Sequence, residues 1–391
     1  MSKYDVVVCG GGIVGLSCAL ALARQRVNVC LLGPRKKPMA NLGEQYHPRV
    51  YAISSASQLF LQELGVWNSI PAERIVPVES MEIHGDRDGL VVLDAWQAAQ
   101  AELAWIMESG EIEQALFQAV QIFGVPWIDD KMQSYSPGQV VTEKGKTVQA
   151  ALFIGADGAR SPLRKAAALA HEAKPYGDTG LVLQLTTEKP HLNTAIQWFR
   201  PNGILAFLPL PDTRDGHQVS MVWSLRDEQA KVLQAMDPEQ LAIELPRKLE
   251  EITQGRLGKV SVRSPLYGFP LTLEKAKMTA PGIALVGDAA HRVHPLAGQG
   301  LNLGLVDARV LCRVLADKEP FRSFGDLRVL ERYQSERAEA ILAMRLATDG
   351  LHKLFAIPSS GPLAFLRNAG MDVVQRLPFV KQRLIAAASG R

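Results

Sequence analysis

The sequence predicts an α/β fold with a β-rich insertion and a helical C-terminal part, on three observations. Near the N-terminus an apolar run, residues 4–9, precedes Gly10-Gly11-Gly12-Ile13-Val14-Gly15, then a stretch of helical spacing (16–24) and a second apolar run (27–32). Strand, GxGxxG, helix and strand in that order form the βαβ unit that binds a dinucleotide, so this part reads as Rossmann-like. The middle third turns to short runs with strand-like alternation, at 181–188, 195–199, 204–208 and 218–225, separated by turn signals. That spacing predicts a mixed or antiparallel sheet inserted as a second domain. From Leu301 onward the pattern is helical: 301–315, 327–355, then two shorter helices.

Composition sets the frame. A chain of 391 residues is long for one core. With 47% hydrophobic and 21% charged residues it is globular in type, and with a net charge of +3 nothing global suggests a nucleic-acid partner. Cys9, Cys18, Cys30 and Cys312 lack metal or CxxC spacing and read as reduced core residues of a cytoplasmic protein. No run reaches the length of a membrane span, and the glycine-interrupted N-terminus is not laid out as a signal peptide.

Taken in order, the first glycine loop assigns Gly10 to the tight turn, Gly12 to approach by a pyrophosphate, and Gly15 to helix–strand packing. The pyrophosphate would sit on the helix N-terminus. The fingerprint's acid at the end of the second strand is missing, because Gly33 stands there. Arg35, Lys36 and Lys37 follow; a solvated basic turn is preferred for them over a 2′-phosphate site. Arg49 emerges from a loop as a candidate phosphate clamp, against the plainer reading of a surface ion pair. A helix at 55–64 ends at Gly65, and residues 96–107 and 111–120 read as scaffold.

A buried strand at 151–154 runs into Gly155-Ala156-Asp157-Gly158, and Ser161-Pro162 opens a helix with proline at its first position. Asp157 is thereby presented at a strand's carboxyl end, where ligands of such sheets bind. In the β-rich region Trp198, Phe199, Phe207, Trp223 and Phe269 read as core aromatics in preference to a cavity lining.

The stretch 287–307, GDAAHRVHPLAGQGLNLGLVD, follows the apolar run 283–286 and gives up side-chain bulk. Gly298 and Gly300 free the backbone for positive φ, and the helix after them offers unpaired N–H groups and a positive dipole end. This is the pattern of a backbone that comes close to a large flat ligand. His291 and His294 read as local packing, not catalysis.

Together, GxGxxG at 10–15, DGxxSxxR at 157–164 and GDAAHxxHPxxGQGxNxGxxD at 287–307 resemble the FAD-dependent aromatic hydroxylases of the p-hydroxybenzoate hydroxylase type. Within them, HPLAGQGLNLGLVD and the later residues 347–355 look like the ubiquinone-biosynthesis hydroxylase family. The resemblance implies FAD as cofactor, NAD(P)H and O2 as co-substrates, a flavin C4a-hydroperoxide and a polyprenylated phenol as substrate. It implies that Gly10, Gly12, Gly15 and Arg49 meet the FAD pyrophosphate, and that Asp157 and Gly158 lie near both FAD and the nicotinamide path. Asp288 would hold the ribityl chain. Pro295, Gly298, Gln299, Gly300, Leu301 and Asn302 would face the flavin, those from Gly298 on at its pyrimidine edge. No catalytic residue is identified and no metal is expected.

The resemblance divides the chain into FAD-binding segments at 1–75, 101–178 and 273–355, substrate-domain segments at 76–100 and 179–272, and a helical tail, 356–391. The tail interleaves Arg367, Arg376, Lys381, Arg383 and Arg391 with apolar residues. It reads equally as a basic membrane-surface element or as a packed helix with a solvated face. The expectation is therefore a cytoplasmic protein in peripheral contact with the inner face of the membrane and with other ubiquinone-biosynthesis proteins. Two alternatives remain open: a hydroxylase of a soluble aromatic, and a non-catalytic flavin-binding subunit of a biosynthetic complex. A flavin halogenase is disfavoured, since no WxWxIP-type sequence is present.

Overall fold

The computed structural model describes residues 2–40, 42–86, 89–201, 203–293, 298–356, 375 and 377–389. A mainly parallel sheet organises the N-terminal and motif-bearing parts. Its order is Thr279–Ala280, Ile283–Leu285, Thr147–Gly155, Ser2–Cys9, Val29–Leu32, Trp127–Ile128, with the two-stranded ribbon Met132–Ser136/Gln139–Thr142 added on Thr147–Gly155. The central strands are apolar without alternation, as strands covered on both faces must be; Val6, Val7, Val8, Leu31, Phe153 and Ile154 are all fully buried. Helices Ile13–Arg24, Ser109–Ile122 and Gln299–Ala316 pack around this sheet.

The register aligns the motifs. Cys9 lies opposite both Gly155 and Leu32, Gly155 opposite Leu285, and Leu32 opposite Ile128. The carboxyl ends of five strands are therefore level, and Val286, Ala156, Gly10, Gly33 and Asp129 follow one another along a single edge. This edge is where ligands of open α/β sheets bind.

The second sheet has nine strands in the order His291–Arg292, Tyr267–Ala276, His171–Thr187, Gly216–Arg226, Gly203–Thr213, Thr194–Arg200, Ser80–His84, Leu90–Asp94, with Val260–Val262 added on His171–Thr187. Its pairs are antiparallel except Thr194–Arg200 with Ser80–His84, so the sheet is mixed. The strand His171–Thr187 begins ten residues before the alternation at 181 shows. Its first part, HEAKPYG, is mostly exposed and polar, but it pairs with Tyr267–Ala276 across a bulge between Pro175 and Thr179.

One face of this sheet carries Trp198, Phe207, Met221, Trp223 and Leu183, packed against Leu241, Leu245 and Leu249 of the helix Pro238–Thr253. Those leucines recur every four residues, the period of one helix face. The opposite face turns toward the parallel sheet. A three-stranded sheet, Val50–Ile53, Ala104–Glu108 and Val76–Val78, fills the junction. The long helix Leu327–Ala356 closes the molecule, its Tyr333 hydroxyl donating to the Leu285 carbonyl at 2.8 Å. Of the two expected tail helices, Pro378–Ser389 is present; the other falls outside the described residues, as do Arg367, Arg376 and Arg391.

Candidate functional site: a cleft between the two sheets

A cleft of about 430 Å³ runs from the carboxyl edge of the parallel sheet to the face of the mixed sheet. Gly12, Arg49, Gly158, Asp288, Gly298, Gly300 and Leu301 line it, so the three sequence motifs meet at one place. Gly10 and Gly15 lie beneath it as packing glycines. A Cβ on Gly10 would come within 2.2 Å of the Ala156 carbonyl oxygen, and one on Gly15 within 2.1 Å of the Gly10 oxygen. Gly12 differs. Its φ is −84° and nothing lies within 4 Å of where a Cβ would point, so the chain itself gives no reason for a glycine there. The space beside it belongs to the cleft.

The stretch from Gly287 is held by charge. Asp307 is fully buried and its carboxylate accepts from Gly287 N at 3.0 Å, His291 Nε2 at 2.7 Å and Arg337 Nε at 2.7 Å. Burial opposes the charge on Asp307, but His291 and Arg337 outweigh it and hold the pKa below the usual carboxylate value. His291 is thus scaffold, as its sequence context suggested. His294 and Pro295 lie outside the described residues.

The helix Gln299–Ala316 starts two residues before 301. Gly298, with φ 62°, is its N-terminal cap, while Gly300 is already helical and has no positive φ. The expected positive φ at Gly300 is therefore corrected: its lack of a side chain leaves space, with nothing within 4 Å of a Cβ. Asn302 does not offer its side chain to the cleft. Its amide oxygen accepts from Ser54 N at 3.0 Å and its nitrogen donates to the Ala52 carbonyl at 2.8 Å and to Gln299 Oε1 at 3.2 Å. It pins the helix start to the strand Val50–Ile53. The first-turn N–H groups that no helical carbonyl can satisfy then face the cleft wall that Gly300 and Leu301 form.

Asp157 sits at the strand end, but its carboxylate caps the next helix by accepting from Leu163 N at 3.0 Å; burial raises its pKa. Its other oxygen is buried without a partner among the described residues. Ser161 Oγ accepts from Arg164 N, and the buried Arg164 donates to the carbonyls of Ala159 and Ala289 at 2.6 and 2.8 Å. That arginine ties the second motif to the third.

Asp288 is 53% exposed and opens into the cleft; the protein packed around it raises its pKa, and Arg292, 3.9 Å away, opposes the rise. The Arg49 guanidinium lies 5.2 Å from the Phe269 ring centre, and the neighbouring Tyr51 favours its charged form. Tyr51 and Glu113 also line the cleft, and burial raises the pKa of each. Sequence reasoning passed over both, since each stands inside an otherwise ordinary strand or helix.

At the far end of the edge, Gly33 has a φ of 150°, in the region that favours glycine. Its carbonyl accepts from Trp127 Nε1 at 2.9 Å. The Arg35 guanidinium stacks over Phe117 and Trp127 at 5.1 and 5.6 Å, so it is engaged with aromatic rings. From the neighbouring strand, Asp129 reaches across, one carboxylate oxygen accepting from Arg35 N at 2.8 Å. Its sequence neighbour Asp130 is used up in a turn, accepting from Lys131 N and Lys144 N.

The mixed sheet supplies the other wall. Val182, Ala195, Gln197, Ala206, Leu208 and Val222 line it from the sheet face, with no charged side chain among them. Trp198, Phe207 and Trp223 belong to the opposite face, and Phe269 stands at the rim, 38% exposed. No group of three or more metal-ligating side chains occurs among the described residues, and no helix there is long and apolar enough to cross a membrane.

Comparison with known proteins matches this geometry. The family described as FAD binding domain matches residues 3–347. Ubiquinone hydroxylase UbiL of Rhodospirillum rubrum is 32% identical over 99% of this chain and 89% of its own. The 3-demethoxyubiquinol 3-hydroxylase of Escherichia coli is 32% identical over 99% and 98%. The human ubiquinone biosynthesis monooxygenase COQ6, mitochondrial, is 31% identical over 99% and 92%. Among solved structures, PqsL of Pseudomonas aeruginosa in complex with 2-aminobenzoylacetate aligns over 95% of this chain and 100% of its own with a TM-score of 0.78 at 20% identity. The p-nitrophenol 4-monooxygenase PnpA of Pseudomonas putida covers both chains fully with a TM-score of 0.77 at 18% identity; both likenesses concern the fold. By its family match and by relatives similar along almost its whole length, the chain belongs to the FAD binding domain family and, within it, to the ubiquinone-biosynthesis hydroxylases.

Proposed function

We propose that the protein is an FAD-dependent monooxygenase that hydroxylates the aromatic ring of a polyprenylated phenol in ubiquinone biosynthesis, with NAD(P)H and O2 as co-substrates. One observation carries this reading: a single cleft joins the glycine cradle to a largely apolar sheet wall, in which Gln197, Thr272 and Arg292 are the polar side chains. The residues present fit FAD. Gly12 leaves room for a pyrophosphate beside a helix N-terminus, Asp288 would hold the ribityl chain, and the first turn of the helix Gln299–Ala316 would offer backbone donors to the pyrimidine edge. Arg49 stands at the rim, where it would meet phosphate or the nicotinamide co-substrate. Asp129 would hold the adenosine ribose in place of the acid absent at Gly33.

Bound FAD would supply the redox chemistry, taking hydride from NAD(P)H and activating O2. The chain's part is to orient the ring and exclude water. Apart from Arg292, whose guanidinium bonds to Thr272 and Glu274, the sheet residues lining the cleft carry no charged group. They hold an apolar ring and a prenyl chain, and leave the phenol to be activated by its position. Peripheral contact with a membrane surface gives the protein access to a substrate dissolved in lipid. The rival reading as a non-catalytic subunit drew its support from the missing acid at position 33, and Asp129 weakens that support.

The test is quinone-intermediate profiling by mass spectrometry in a strain that lacks the protein. An accumulating intermediate short of one ring hydroxyl is expected and names the step. A normal profile would contradict the assignment.

A further inference from the structure

Across the floor of the cleft, one row of the mixed sheet runs Gln197, Ala206, Val222, Val182, each directly opposite the next on adjacent strands. All four line the cleft. Three are small and apolar; Gln197 is not. It is 7% exposed, and its side-chain amide makes no hydrogen bond among the described residues. Other glutamines on the same face are satisfied: Gln184 Nε2 donates to the His47 carbonyl at 3.2 Å, and Gln218 Nε2 to Thr186 Oγ1, Thr213 Oγ1 and the Gly216 carbonyl. The amide opens onto the cleft, so a ligand that covers it must offer a hydrogen bond or leave it unpaired. The sheet's other polar lining residues, Thr272 and Arg292, bond to each other at 3.0 Å, whereas Gln197 faces the cleft among alanine and valine.

We propose that Gln197 is the residue that recognises the substrate's ring oxygen. Its carboxamide oxygen accepts the phenol O–H, and this one directional bond turns the ring so that a chosen carbon faces the flavin. The apolar wall around it holds the rest of the molecule without preferring an orientation. The site then distinguishes a free phenol from the same ring with its oxygen blocked, because a blocked oxygen leaves the amide unpaired. The inference rests on the reading of the cleft as a phenol site and adds the residue that sets its specificity.

The experiment compares wild-type holoprotein with Gln197→Leu and Gln197→Met. The probes are 2-geranylphenol and its methyl ether, titrated by the change each causes in bound-flavin absorbance. Wild type is expected to bind the phenol about ten-fold or more tightly than the ether. Both variants should bind the two probes about equally, with ether affinity, FAD affinity and melting temperature unchanged or raised. Variants that still prefer the phenol overturn the role of Gln197. Variants that lose FAD in proportion assign the amide to the cofactor instead, and equally overturn it. A wild type that holds FAD but binds neither probe overturns the phenol reading of the cleft itself.

Discussion

Gly12 and Gly15 are glycines for different reasons, and substitution separates them. A side chain at position 15 would meet the Gly10 carbonyl oxygen at 2.1 Å, a clash inside the protein. Gly15→Ala is therefore expected to lower the stability of the FAD-free protein by about 1–3 kcal/mol. Serine at position 12 meets nothing in the chain, suits the φ of −84°, and is a favoured helix cap. Gly12→Ser should leave the melting temperature of the FAD-free protein unchanged or raised while weakening FAD at least about ten-fold, because the side chain enters the phosphate path. Equal loss of stability in both variants would argue against a cofactor over Gly12. Asp129 makes a second expectation at this scale. Asp129→Asn keeps shape and removes charge, and should weaken FAD about ten-fold, as loss of a charged hydrogen bond does. With FAD carrying a 2′-deoxyadenosine, wild type and variant should bind alike; a penalty that persists would place Asp129 elsewhere. The glycines were legible in the sequence because their role follows from backbone geometry. Asp129 was not: its role depends on strand pairing of Leu32 with Ile128, about a hundred residues apart, which no local pattern records.

At the scale of elements, the helix Gln299–Ala316 is the part that everything else positions. Asn302 fixes its start to the strand Val50–Ile53, and Asp307 fixes its third turn to Gly287, His291 and Arg337. Asp307→Asn leaves Arg337, 4% exposed, without its counter-charge. The expected loss is about 3–5 kcal/mol in urea unfolding, with weaker flavin retention. The pH dependence has a definite sign. The Asp307 pKa in the folded protein lies below its ordinary 3.8, so its stabilising contribution is complete above that value and is lost as pH falls through the lower folded value. The stability gap between wild type and Asp307→Asn should thus be constant from pH 8 to about pH 5 and narrow below about pH 4. A gap that widens in acid would contradict the ion-pair account. The sequence placed an acid at the end of this motif but gave it no role, because its partner Arg337 lies one long helix away.

For the molecule as a whole, the cleft exists because the mixed sheet turns different faces to its helices and to the flavin cradle. The sheet was foreseen from alternation, yet which residues face the cleft was not. In Thr194–Arg200 six of seven residues are buried, so both faces are covered and the sequence carries no phase. Trp198, Phe207 and Trp223 took the helix side, and alanines opened the cavity. At the periphery, Ile385 of the helix Pro378–Ser389 is buried, and Gln382 donates to the Gln97 carbonyl. This brings two exposed apolar regions together: Trp96 is 74% exposed, and Phe379, with Arg383 over its ring, is 62% exposed. If this is the lipid-facing side, Trp96→Ala/Phe379→Ala should reduce flotation with anionic liposomes by several-fold while FAD content is kept. Equal flotation would move the contact elsewhere.

The central claim is that the glycine cradle and the apolar wall bring a flavin and a phenol together to transfer one oxygen atom from O2. The most direct measurement supplies purified, FAD-loaded protein with NAD(P)H, 2-geranylphenol and ¹⁸O2, and follows the product by mass spectrometry. The account predicts NAD(P)H oxidation stimulated by the phenol and a hydroxylated ring carrying one ¹⁸O. Oxidation that ignores the phenol, or a phenol recovered without label, would contradict it.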